Sequence, residues 1–191
     1  MHERACIPIL SHRDGSQVAV VGRTITGEKP KYLNTSFAKS RYLQGLWFAE
    51  QGIQERGFAI IVEDSISAIV GHQCGLTNVV ATCGTALTIR QIGLLARLTD
   101  TFVLAFDNDE GGRKGSLRIK GGIDDTGREI PGLISGFPIR IEEVFLDKDL
   151  DELLLENLSL PRQLRTVEKE SISPLSSIMK GFRNRGKDTW S

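Results

Sequence analysis

Residues 58–112 read FAIIVEDSISAIVGHQCGLTNVVATCGTALTIRQIGLLARLTDTFVLAFDNDEGG. Two apolar runs in this stretch each end in acid. Phe58 to Val62 passes into Glu63-Asp64, and Phe102 to Phe106 passes into Asp107-Asn108-Asp109. Unbroken apolar runs rich in β-branched residues suit strands buried on both faces of a parallel sheet. In such sheets ligand chemistry gathers just beyond the carboxyl ends of the strands. If the two strands are neighbours, Glu63, Asp107 and Asp109 converge on one patch, where three carboxylates repel one another unless a cation lies between them. Hard oxygen ligands favour Mg2+ or Mn2+.

Working outward from this stretch, strands and helices alternate. Residues 44–55 carry apolar side chains at helical spacing and are closed by Gly57. Ser65 is placed to cap a helix running to about Cys74, and residues 78–81 form the next short strand. Thr88 to Arg97 is expected to be helical with Ile89, Ile92, Leu95 and Ala96 inward, and Thr101 to Phe106 is the strand that delivers the second acid pair. Gly111-Gly112 ahead of a short helix over 112–119 would let a phosphate approach backbone N–H groups. Lys120 to Gly127 is a polar, Gly-rich loop, Ile139 to Phe145 is a last strand, and Asp149 to Asn157 is a helix with acids in its first turn. This alternation indicates an α/β fold with a parallel sheet of about four strands flanked by helices.

Ahead of it, Arg13-Asp14-Gly15-Ser16 is a turn, Val18 to Arg23 is the returning strand, and Lys29 to Asn34 is extended, which makes a small N-terminal β-containing lobe. Arg23, Lys29, Lys31, Lys39 and Arg41 cluster in this lobe around Tyr32 and Tyr42. The division is 1–52 for the lobe, 53–156 for the α/β domain and 157–191 for a helical, partly disordered and locally basic C-terminal tail.

Composition restricts the class further. The chain has 191 residues and zero formal net charge from 24 basic and 24 acidic residues, so any cationic surface must be local. No apolar run approaches the roughly 20 residues that span a bilayer, and no apolar h-region follows Met1-His2-Glu3-Arg4. No membrane partner and a cytoplasmic location are expected. Cys6, Cys74 and Cys83 are scattered, which argues against a disulfide framework; without a CxxC pair no zinc is expected in this chain. Cys74 and Cys83 read as small buried hydrophobes and His72 as structural.

Glu after one strand followed by Asp-x-Asp after a later one resembles the toprim signature. The segments CIPILSHRDGSQVAVVGRTI, KPKYLNT, FAKSRYLQGL, AIIVED, HQCGLTNVVATCGTALT and LAFDNDEGG, in that order, resemble the catalytic core of bacterial-type (DnaG-like) DNA primases over about residues 6–156. The resemblance implies a toprim fold, with Glu63 as general base or acid and metal neighbour and Asp107 and Asp109 as the metal-binding pair. Asp149 and Asp151, in LDKDLDEL, resemble a later acidic pair of that core. Arg23, Lys31, Lys39 and Arg41 match basic residues that line the template and nucleotide groove. The family usually has Gly after the glutamate and an acid four positions beyond it, where this chain has Asp64 and Ser67. The form EDSISAI is closer to phage and mobile-element variants.

What the resemblance implies is metal-dependent synthesis of short RNA primers on a single-stranded DNA template from NTPs. It also implies partner domains, such as a replicative helicase or a separate zinc-binding or helicase chain. A toprim nuclease would use the same acids to hydrolyse a phosphodiester, and a non-catalytic nucleic-acid-binding remnant is the third reading. The segments around Lys31 and Lys39 favour the first, and three clustered acids argue against the third.

Overall fold

The computed structural model describes residues 3–84, 86–144 and 150–152. Asp149 and the expected tail over 157–191 lie outside the described residues. In chain order the elements are β1 (Arg4–Leu10), β2 (Gln17–Thr24), β3 (Tyr32–Asn34), α1 (Leu46–Arg56), β4 (Ala59–Val62), α2 (Ser65–Gln73) and β5 (Val79–Ala81). Then come α3 (Ile89–Leu95), β6 (Thr101–Leu104), α4 (Glu110–Lys120), β7 (Gly122–Ile123), β8 (Glu129–Ile130) and β9 (Arg140–Glu143).

The lobe is an antiparallel sheet in the order β1-β2-β3. Alternation along its strands turns Ile7, Ile9, Ala19 and Val21 inward, where they pack with Cys83, Tyr32, Tyr42 and Ile66. The lobe therefore rests on α2 and on the loop after β5. The Asp-Gly turn forms as expected: Asp14 Oδ1 accepts from Ser16 N at 3.1 Å, and Gly15 takes a φ of 71°.

The second sheet has the order β5-β4-β6-β9, and its three pairings are all parallel. Every residue of β4, β5 and β6 is buried. The strand period of two separates the faces. Ala59 and Ile61 point with Phe102 and Leu104 toward Ile53 of α1, Ile92 and Leu95 of α3 and Ile119 of α4. Ile60, Val62 and Val103 point the other way, with Ala68 of α2. Gly57 ends α1 at a φ of 74°, its N–H donating to the Ile53 carbonyl at 2.8 Å.

Three expectations are corrected. Ile89 is exposed at 48% and Ala96 is exposed, so neither packs inward. Thr88 and Gln91 form a capping box, and the Gln91 amide donates to the carbonyls of Tyr42 at 2.7 Å and Lys39 at 3.2 Å. Satisfying those two carbonyls turns Gln91 into the interior, and Ile92 and Leu95 follow it. The segment 120–127 is not a plain loop. It enters a two-stranded hairpin of β7 and β8 whose turn is tied by Asp124 Oδ1 to Thr126 N and Arg128 N, each at 2.9 Å. Cys74 is only partly buried, unlike Cys83.

Candidate active site

Strands β4 and β6 lie side by side, with Ile61 opposite Leu104, so their carboxyl ends open on the same edge of the sheet. The ladder continues beyond the strands through Ala105 N, which donates to the Ile61 carbonyl at 2.9 Å. Glu63 leaves β4 there, and Asp107 and Asp109 leave β6. The Asp107 backbone N–H donates to the Glu63 carboxylate. Helix α4 starts directly over the pair, with Asp109 as its N-cap and Asp109 Oδ1 accepting from Gly112 N at 2.7 Å. A Cβ at Gly112 would overlap the Asp107 carbonyl oxygen and stand 3.1 Å from Glu63 Oε1. Only glycine lets the helix approach this closely. The Gly112 N–H is thus taken by the protein's own Asp109.

Burial pushes the Glu63 carboxyl up to about 7, and the charges of Asp107 and Asp109 push the same way. The three acids are therefore electrostatically one group. Among the described residues no three His, Cys, Asp or Glu side chains already form a closed ligand set. The donors nevertheless suit a hard divalent ion in kind. They are carboxylates at adjacent strand ends, and their mutual repulsion is what a cation would relieve.

Asp64 takes the capping role expected of Ser65. Its Oδ1 accepts from Ile66 N at 2.6 Å and Ser67 N at 3.1 Å, since a carboxylate is the better acceptor at the positive end of α2. The same oxygen receives the Tyr32 hydroxyl at 3.4 Å, and Arg23 donates to the Tyr32 oxygen. Burial, then the Asp64 charge, raises Tyr32 to about 12. Ser67 Oγ donates to Asp151 Oδ1 at 3.1 Å and lies 3.4 Å from Asp64 Oδ2. The Ser67 hydroxyl thus ties Asp151 to the first turn of α2.

The lobe supplies the cationic wall. Arg23 and Lys31 lie 5.3 Å and 5.9 Å from the Tyr32 ring centre. Lys39 faces a cavity of about 200 Å3 that also meets Tyr32, Asn34, Asp64, Ser65 and Cys83. Asn34 Oδ1 is buried without a hydrogen-bond partner. Arg41 separates from this group: it lines a different groove, with His12, Arg13, Arg90 and Arg97. Tyr42 packs 6.3 Å from the Phe37 ring, and His72 Nε2 meets the Val79 carbonyl at 2.9 Å, so both serve packing. Sequence reading did not single out Asn34; the word KPKYLN contains it, but nothing marks its orphan oxygen.

Residues 57–130 match the family described as Toprim domain. A DNA primase of Synechococcus elongatus is 37% identical over 158 residues, which are 80% of this chain and 22% of that protein. The structure of Aquifex aeolicus primase, comprising zinc binding and RNA polymerase domains, superposes with a TM-score of 0.67 at 34% identity, covering 81% of this chain and 37% of that one. A DnaG primase catalytic domain bound to ssDNA superposes with a TM-score of 0.64 at 27% identity, covering 81% and 48%. The chain thus spans about a quarter of the length of the curated relatives it matches. Around Glu63, Asp107 and Asp109 the chain carries a toprim domain, and it belongs with the catalytic cores of bacterial-type DNA primases.

Proposed function

We propose that this chain is a nucleotidyl-transfer core that extends RNA primers on single-stranded DNA, working with partner domains such as a zinc-binding module and a replicative helicase in the cytoplasm. One observation carries the reading: Glu63 stands beside Asp107 and Asp109 at the ends of paired strands, and the next residue, Asp64, meets the lobe through Tyr32, which Arg23 and Lys31 flank, at a cavity that Lys39 also lines. The division of labour follows residues 1–52 for the cationic lobe and 53–156 for the acidic domain. Asp107, Asp109 and Glu63 would hold Mg2+ or Mn2+, with Asp151, and Asp149 beside it in sequence, as further acids. A bound divalent cation neutralises phosphate charge and lowers the pKa of an attacking hydroxyl.

The chain's own groups do the rest. Glu63 is placed to take a proton from a 3′-hydroxyl at the mouth of the site. Lys31 and Lys39 hold phosphates by charge, without choosing sequence. The Arg23–Tyr32–Asp64 chain fixes the lobe against the first turn of α2, so the cationic wall and the acids keep a constant separation.

The test is incorporation of labelled NTPs on a single-stranded DNA template with Mg2+ or Mn2+. Asp107→Ala is expected to lose about a thousandfold, because the cation supplies several kcal/mol of charge stabilisation. Cleavage of the template in place of product growth would transfer the site to a nuclease. Absence of metal-dependent chemistry, with no rise in Tm on adding the ion, would leave only a binding role.

A further inference from the structure

We propose that the groove between the β1–β2 turn and α3 is a second nucleic-acid site, which tracks the phosphate backbone of a strand leaving or entering the acidic centre. It is an open groove of about 780 Å3, lined by His12, Arg13, Arg41, Tyr42, Arg90 and Arg97 among others. The direction of the strand rests on the nucleotidyl-transfer reading; the binding itself does not.

Four exposed arginines share this groove in a chain of zero net charge. Among the described residues the two ion pairs are Lys114–Glu110 and Lys120–Glu143, so none of the four arginines is neutralised in that way. The acids whose charge acts on His12 are Glu50 and Asp14, and Asp14 is turned into its own loop, accepting from Ser16 N at 3.1 Å and Ser16 Oγ at 2.8 Å. His12 Nδ1 is buried without a hydrogen-bond partner, at the same place.

Spacing fits a strand. Arg90 and Arg97 are two helical turns apart along α3 and the turn that ends it, about 10.5 Å on the axis. That is close to three nucleotides of rise at about 3.4 Å each. Between them lies Gly93, where a Cβ would meet nothing within 4 Å, so the floor is open. Guanidinium groups pair with phosphate oxygens in fork geometry, and an aromatic beside them accepts a base face. Tyr42 edges the groove but is held by its packing on Phe37, so the free aromatic face nearby is Trp47, which is 41% exposed and sits against Gly15 of the β1–β2 turn. The Lys39–Arg41 turn contributes Arg41 to the groove and Lys39 to the other cavity.

The experiment is fluorescence anisotropy of the full chain with two labelled probes, a single-stranded DNA oligonucleotide and an RNA–DNA hybrid, titrated with salt in the absence of divalent ions. Arg90→Gln with Arg97→Gln is expected to weaken binding about tenfold and to reduce the single-strand salt slope by about 1.4, since each phosphate that is no longer neutralised removes about 0.7. Gly93→Glu, which places a carboxylate on the open floor, is expected to weaken binding similarly without lowering Tm. Weaker binding of the single strand alone assigns the groove to the template, and weaker binding of the hybrid assigns it to the emerging primer duplex. Wild-type affinity and salt slope for both probes in both variants would overturn the proposal. If wild-type protein binds yet incorporates no nucleotide, the transfer reading falls and the groove stands. If it incorporates while the groove variants bind normally, the groove falls alone.

Discussion

The acidic end of the parallel sheet and the basic groove over α3 are built in opposite ways. The acids sit on two neighbouring strand ends and are pressed together by backbone: Asp107 N–H to Glu63, Asp109 to Gly112, and α4 against both. Their charges act on one another, and Glu63, already raised by burial, reaches about 7. The arginines come from the β1–β2 turn, the turn before Tyr42 and α3, and all four face solvent. A dense site of like charge stores repulsion, and its closest backbone approach has no room for a methyl group. An open site of like charge is screened by water and has space to spare. The contrast makes opposite forecasts for the same kind of change at the two places.

The largest effect is expected at Gly112→Ala. Its new methyl group has no room against the Asp107 carbonyl oxygen or Glu63 Oε1. Helix α4 or the end of β6 must move, at a cost of about 3 kcal/mol, the upper range for overpacking. Tm should fall by about 6–12 °C, at 2–4 °C per kcal/mol. Incorporation should fall about a hundredfold or more, because a misplacement near 1 Å is enough for that. Oligonucleotide binding to the groove should not change. An unchanged Tm would mean that the acidic end has room to yield, and the contrast with the groove would lose its steric half.

A smaller effect is expected from pH. Burial first, then Asp107 and Asp109, raises Glu63 from its ordinary value to about 7, so the folded state favours the protonated form. The stability this contributes is complete below the unfolded value of about 4.5 and is lost as pH rises through 7. Ionised Glu63 above that point is a penalty, which Gln cannot incur. Without divalent ions, Glu63→Gln and the wild type should melt alike near pH 4 and separate by pH 8, with the variant higher. Partial solvent access reduces the difference to about 1 kcal/mol, or 2–4 °C. Saturating Mg2+ should then raise the wild type more than the variant. Parallel melting curves at every pH would remove the electrostatic coupling from the acidic end.

The same contrast explains what could be read from the chain alone. Ala59–Val62 and Thr101–Leu104 are continuous apolar segments, and such segments have few places to go other than the middle of a parallel sheet. Their terminal acids follow automatically. The Ser67–Asp151 contact joins residues 84 apart and depends on the angle at which a later helix returns, which no local pattern encodes. Gln91 is polar at a position that periodicity leaves ambiguous, and two backbone carbonyls from another segment decide where it points. The hairpin at 122–130 has the composition of a loop because its strands are two residues each. Arg90 and Arg97, taken singly, are ordinary solvated charges. Only the packing of the lobe against α3 sets them opposite Arg13 and Arg41.

Gly93→Ala is the smallest and most discriminating change. Gly93 lies within α3, has no left-handed φ, and has open space where its Cβ would be. None of the restrictions that hold Gly112 applies. Glycine in a helix interior costs about 0.5–1 kcal/mol relative to alanine, because the unfolded chain has more conformations to lose. Alanine should therefore raise Tm by about 1–4 °C, the reverse of the change at Gly112. A single methyl group on the floor of a groove this wide leaves the arginines where they are, so oligonucleotide affinity should stay within twofold. If Gly93→Ala destabilises the chain, the floor over α3 is covered by something in solution, and a strand could not lie there; if it stabilises without weakening binding, the groove is as open as its geometry requires.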